Sequence, residues 1–147
     1  MDFIPWSDDY LTGVAEVDAD HRRLFALVNR LHARVRGAAE GAGDGVDEPA
    51  PGLTDPVATA LAALADYVEY HFAREEEVME NAGYPDLIAH MNRHRNLART
   101  VRSLVTMHAE NPAQPLGDDV LAFLKDWLTG HIIESDMAYV PFVKDMP

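Results

Sequence analysis

The sequence predicts an all-α fold: an antiparallel up-down-up-down four-helix bundle preceded by an extended N-terminal arm. Three observations predict it. Apolar residues recur at alternating steps of three and four in four separate stretches, the repeat of a helix that buries one face. Gly, Pro and acidic clusters punctuate the chain between those stretches. No segment alternates apolar and polar residues as a half-buried strand does, and there is no internal repeat. Four helices with short or flexible links pack as a bundle. The 147 residues suffice for one domain with one core, spanning 1–147.

Residues 1–17 carry Pro5, Gly13 and scattered aromatics and read as the arm, with Asp18 or Asp20 as the cap of the first helix. That helix, roughly 19–38, has the stripe His21, Leu24, Phe25, Val28, Leu31, His32 and Val35, with its arginines mainly off it. Residues 41–53 are rich in Gly, Pro and acids; they cannot pack a core and read as a flexible acidic loop. Thr54 or Asp55 before Pro56 starts the second helix, whose stripe Val57, Leu61, Leu64, Val68, His71, Glu75 and Val78 runs to about 81. Gly83 ends it, and Pro85 leads into the third helix, about 86–110, with Leu87, His90, Met91, His94, Leu97, Val101, Leu104 and His108 on one face. Pro112 and Pro115 stop that helix, and the fourth begins near Leu116 or Gly117, carrying Val120, Phe123, Leu124, Trp127, Leu128 and His131.

Composition excludes several classes of function. The net charge of −13 argues against a nucleic-acid partner and against an anionic membrane surface, since both demand clustered Lys and Arg. The chain has no Cys, which rules out disulfides, thiolate metal sites and a cysteine nucleophile and fits a reducing compartment. The N-terminal stretch has no signal-peptide pattern, and no apolar run reaches the length of a membrane span. A cytoplasmic location is expected.

Chemistry concentrates in the histidines. His71 and Glu75, and likewise His90 and His94, stand four apart, so each pair points one way from its own helix. In an up-down-up-down bundle the start of the first helix, the end of the second, the start of the third and the end of the fourth share one end. His21, His71, Glu75, His90, His94 and His131 therefore meet at one level of the core. Asp136 is the next acid within useful range, with Glu134 a weaker rival. Five residues of regular helix put Asp136 about 140° away from His131, so the helix must end, loosen or carry a wide turn between them. Five histidines and two carboxylates are too many for one ion. They suit two near-octahedral ions sharing bridging carboxylates, with room for a small bridge and one open position. Imidazole with carboxylate favours iron, manganese or zinc over magnesium or calcium.

The ordered set of motifs resembles bacterial hemerythrins, the stand-alone hemerythrin-like domains. It comprises Trp6, D-x-x-H from Asp18 to His21, HFAREE at 71–76, H-x-x-x-H at 90–94, and W-L-x-x-H-I-x-x-x-D from Trp127 to Asp136, and so covers nearly the whole chain. The resemblance implies two iron ions. His90, His94 and His131 would hold one, and His21 and His71 the other, which keeps the open position. Glu75 and Asp136 would bridge them together with an oxo or hydroxo group. It also implies that O2 is the ligand, bound reversibly at the open iron by a non-enzymatic carrier, store or delivery protein. A dry apolar pocket without a general acid serves that role by withholding protons and water. Leu24, Phe72, Trp127, Leu128 and Ile132, all within four residues of a would-be ligand, are its expected walls, and Tyr139 approaches it. The long 41–53 loop is the main departure from the family and starts at the opposite end of the bundle.

Other readings are weaker. Sensing of O2, redox state or nitric oxide, and iron handling, also use hemerythrin-like bundles. Iron-repair relatives tend to carry a second bridging Glu and a Cys-bearing arm, absent here. Ferritin-like di-iron oxidases and peroxidases use a Glu-x-x-His motif on each of two helices, and none occurs in this sequence. Asp18 reads as a helix cap rather than a partner of a ligand, and Glu76 and Glu77 as a solvated face. His32 and His108 lie about 16 Å and 21 Å along their helices from His21 and His94 and read as histidines at a fraying bundle end rather than as a second site.

Overall fold

The computed structural model describes residues 3–40, 55–111, 113 and 116–144; the expected 41–53 loop lies outside them. A single 3-10 turn, Asp8–Tyr10, precedes α1 (Ala15–Glu40), α2 (Pro56–Ala82), α3 (Leu87–Glu110) and α4 (Asp118–Gly130). A π-helical segment, His131–Asp136, then leads straight into α5 (Met137–Lys144). These last three run on without a break and form the fourth rod of an all-α four-helix bundle. Among the described residues there is no strand, and no helix is long and apolar enough to cross a membrane.

The first helix begins earlier than its apolar stripe suggests, at Ala15 rather than 19, and neither Asp18 nor Asp20 is its cap. The Thr12 hydroxyl accepts the Val14 N–H at 3.0 Å. Asp18, already inside the helix, reaches back to accept the Thr12 N–H at 2.8 Å, the Thr12 hydroxyl at 2.7 Å and the Gly13 N–H at 3.1 Å. Gly13 takes φ 87, which lets the arm turn sharply into the helix. Asp20 is thereby free to face the interior.

The start and end of α2 follow local chemistry. Asp55 Oδ1 accepts the N–H groups of Val57 and Ala58 at 3.0 and 3.1 Å, and Pro56 opens the first turn. Gly83, at φ 69, closes the helix; its N–H bonds to Glu80 O and the Tyr84 N–H to Met79 O, the pairing that satisfies two terminal carbonyls. This tight link turns the chain back into α3 and holds the ends of α2 and α3 side by side.

Leu24, Val28, Leu31, Leu61, Leu64, Val68, Leu121 and Leu124 are buried along the shared axis, so the stripes read from the sequence face one core. At the end of the bundle remote from His21 the two remaining histidines are engaged rather than frayed. The His32 ring stacks on Phe3 with centroids 4.2 Å apart, pinning the arm. His108 is buried, and its Nε2 lies 2.7 Å from Asp55 Oδ2, tying the last turn of α3 to the first of α2.

Candidate metal centre

All seven side chains singled out in the sequence arrive at one buried level. His21 comes from the second turn of α1, His71 and Glu75 from the last turns of α2, His90 and His94 from the first turns of α3, and His131 and Asp136 from the two ends of the π-helical segment. Each is at most 8% exposed. The π segment explains how Asp136 comes round: bonds of the i→i+5 type, such as Met137 N–H to Ile132 O, widen the turn so that a residue five positions on regains the same face.

The seven form two overlapping groups, Glu75 with His90, His94, His131 and Asp136, and His21 with His71, Glu75 and Asp136, each with ligand atoms within 4.8 Å of one another. Among the described residues these are the only such clusters. The two carboxylates belong to both groups and divide their oxygens between them. Glu75 Oε1 lies 3.2 and 2.9 Å from the Nε2 atoms of His90 and His94, while its Oε2 lies 3.4 and 3.6 Å from those of His71 and His21. Asp136 Oδ1 lies 3.1 and 3.0 Å from His90 and His131, and its Oδ2 lies 2.9 Å from His21.

The donor set fits a pair of cations. His94 and His131 aim their Nε2 atoms at one another across 3.2 Å. Two nitrogens about 2.1 Å from one ion at right angles would stand about 3 Å apart. His21 Nε2, His71 Nε2 and both Asp136 oxygens are buried without a well-directed hydrogen bond, an arrangement costly for polar atoms unless something else binds them.

Electrostatics point the same way. Burial, the largest influence, pushes His71 down, but Asp20 and Glu75 outweigh it and raise it to about 9. Burial likewise opposes, and Asp136 and Glu75 overcome it to raise, His131 to about 10; His21 and His90 are also raised, by Asp136 and Glu75. Burial and Glu75 push Asp136 up, yet His131 and His21 bring it down to about 2. Against its own burial, Glu75 is held well below the usual carboxylate range by His131, His21, His71 and His90. The centre is thus a buried anionic node that retains positive charge, whether carried by protons or by metal.

Behind the ring, the contacts of Asp20 and Glu76 are not legible in the sequence, whereas an approach of Tyr139 is. Asp20 Oδ2 accepts from His71 Nδ1 at 3.1 Å and from Arg74 Nε at 3.0 Å, and its Oδ1 accepts the Tyr67 hydroxyl at 2.9 Å. Glu76 is not part of a solvated face: its Oε2 lies 2.8 Å from His94 Nδ1, whereas Glu77 is exposed. The approach expected of Tyr139 is a hydrogen bond, its hydroxyl donating to Glu75 Oε2 at 3.0 Å. Burial, Glu75 and Asp136 all push that phenol upward, so it keeps its proton at neutral pH.

Leu24, Phe72, Leu128 and Ile132 are buried and Trp127 is half-buried, all in the main core. Phe72 stacks on His94 with centroids 3.8 Å apart and meets Trp127 edge-on at 6.1 Å. Trp127 itself stands 6.2 Å from His131, beside a cleft of about 390 Å³ that reaches His131 between Leu97 and Gly130. The two aromatics therefore back the three-histidine group.

Comparison with known proteins matches residues 12–143 to the hemerythrin HHE cation binding domain. The chain is 32% identical over 145 residues to the bacteriohemerythrin of Pseudomonas aeruginosa, covering 98% of this chain and 84% of that protein. It is 31% identical over 142 residues to the bacteriohemerythrin of Methylococcus capsulatus, covering 96% and 97% of the two. A crystal structure of wild-type hemerythrin superposes with a TM-score of 0.76 at 29% identity, over 96% of this chain and 98% of that one. The divided carboxylates and these matches agree, and the chain belongs to the hemerythrin family of HHE cation-binding domains, whose cofactor is a di-iron centre.

Proposed function

We propose that this protein binds O2 reversibly as a carrier, store or delivery module and is not an enzyme. In this reading His90, His94 and His131 would hold one iron, His21 and His71 would hold the other, and Glu75 and Asp136 would serve both. The observation that carries the reading is the division of both carboxylates, one oxygen of each toward each histidine group. When bound, the iron pair supplies the reversible electron exchange by which O2 is taken up and released.

The chain's own residues set the conditions for reversal. Leu24, Phe72, Leu128 and Ile132 pack the core beside the centre and limit bulk water there, while Trp127 lines the cleft that reaches His131. Tyr139, whose hydroxyl donates to Glu75, holds its proton, so it steadies that carboxylate rather than serving as an acid. Five imidazoles against two carboxylates favour the ferrous state more than a carboxylate-rich shell would.

The test is anaerobic reduction, exposure to O2 and flushing with inert gas. A visible band that appears with O2 and leaves with it supports the reading. A band that decays to a stable oxidised form without release points instead to sensing or oxidation. About one zinc per chain on metal analysis would defeat the di-iron assignment, and His71→Ala should lose one iron and the band together.

A further inference from the structure

The two halves of the centre are supported unequally. The three-histidine half has nitrogens of its own from His90, His94 and His131; the other has only His21 and His71. Loss of one imidazole's orientation therefore removes half of the smaller group's own nitrogens but a third of the larger group's. His94 is braced twice, by Phe72 stacked on its face and by Glu76 at Nδ1. The Glu76 side chain is 25% exposed, so solvent competes for that contact.

Asp20 stands differently. It is 4% exposed and receives three donors, His71 Nδ1, Tyr67 Oη and Arg74 Nε. All three lie on one face of α2, at spacings of four and three, while Asp20 lies on α1 directly before His21. One carboxylate thus ties the helix bearing His21 to the ring of His71. Its bond to Nδ1–H leaves the Nε2 lone pair facing inward, where Glu75 Oε2 lies 3.4 Å away. Arg74, half exposed, balances the buried negative charge, which would otherwise be costly to keep.

We propose that Asp20 is the positioning residue of the two-histidine half: it holds His71 in register with His21 and governs how firmly that half keeps its ion. The inference rests on the di-iron reading. Carboxylates that grip a ligating histidine typically govern metal affinity by about 10–100-fold. Through Asp20 that effect should fall on one ion of the two.

The experiment follows ferrous iron leaving the loaded full-length protein under excess chelator, without O2. The wild type should release two irons per chain. Asp20→Asn should release one of them roughly 10–100-fold faster and the other at the wild-type rate, with unchanged helical circular dichroism. Asp20→Glu, which restores the carboxylate, should bring the fast phase back toward the wild type. Tyr67→Phe keeps the ring and removes one of Asp20's donors; it should speed the same phase by a smaller factor, and it decides the matter if Asp20→Asn fails to fold. Unchanged release in a folded Asp20→Asn, or equal acceleration of both irons, overturns the proposal, and in the Tyr67→Phe arm so does unchanged release. A wild type holding fewer than two irons fails the di-iron reading itself, which is a separate result.

Discussion

The Tyr139 hydroxyl and Glu75 Oε2 meet at 3.0 Å with both side chains fully enclosed. The contact joins α5 to α2 across the centre, so the last helix of the chain helps aim a carboxylate that both histidine groups share. Tyr139→Phe keeps the ring's packing and removes only the donor. Leaving a buried acceptor short of a partner costs about 1–3 kcal/mol, and urea unfolding of the variant should show a loss in that range. Iron content should stay at the wild-type value, because the seven side chains around the centre are untouched.

The metal-free protein should lose stability on the alkaline side. His71 and His131 are raised to about 9 and about 10, above the 6.5 of an ordinary imidazole. Their contribution is complete below about pH 6.5 and disappears as pH climbs through those folded values. Asp136, lowered to about 2 from 3.8, contributes above its ordinary value and loses that contribution as pH falls through the lowered one. Urea midpoints of metal-free protein should therefore be highest between about pH 4 and 6.5 and fall toward pH 10. Iron requires unprotonated nitrogens, so loading should release protons and flatten the alkaline fall.

Glu76→Gln tests the brace on the other half. Glu76 is partly exposed and shares the support of His94 with Phe72, so the variant should weaken retention of the three-histidine ion by only a few-fold, below the usual range of about 10–100. The chelator assay reads it directly, as a small change in one phase.

Asp55→Ala separates stability from the centre. Asp55 caps α2 and receives His108 from the end of α3, far from the irons. Loss of the cap should cost about 1–2 kcal/mol by thermal or urea unfolding. Iron stoichiometry and the O2-dependent band should be unaltered.

Helix spacing alone was enough to bring His21, His71, Glu75, His90, His94 and His131 to one level, because in a bundle of alternating direction the level of a residue follows from its position along its helix. Asp136 demanded an irregular turn, and the π segment is that irregularity. Spacing does not disclose which of two adjacent acids turns inward. Asp18 and Asp20 look equally suited to cap a helix; the reach of Asp18 back to Thr12 and the presence of Tyr67, His71 and Arg74 opposite Asp20 decide between them. Glu76 is well off the face of Glu75, yet α3 lies close enough on that side for His94 to meet it. His32 and His108 found partners from distant segments, Phe3 and Asp55, that periodicity within one helix cannot reveal.

The wide turn also sets how the C-terminal segment must be read. Leu121, Leu124, Leu128 and His131 keep steps of three and four, and Asp136, five residues beyond His131, shares its direction only because the turn between them is widened; Tyr139 and Val140 then follow Asp136 at three and four. The bulge swallows a supernumerary residue, and everything beyond it is displaced by one step on the helical wheel. The carboxylate and the phenol downstream are consequently locked to the same phase, so a one-residue insertion beyond Ile132 would rotate both away from the irons in a single event.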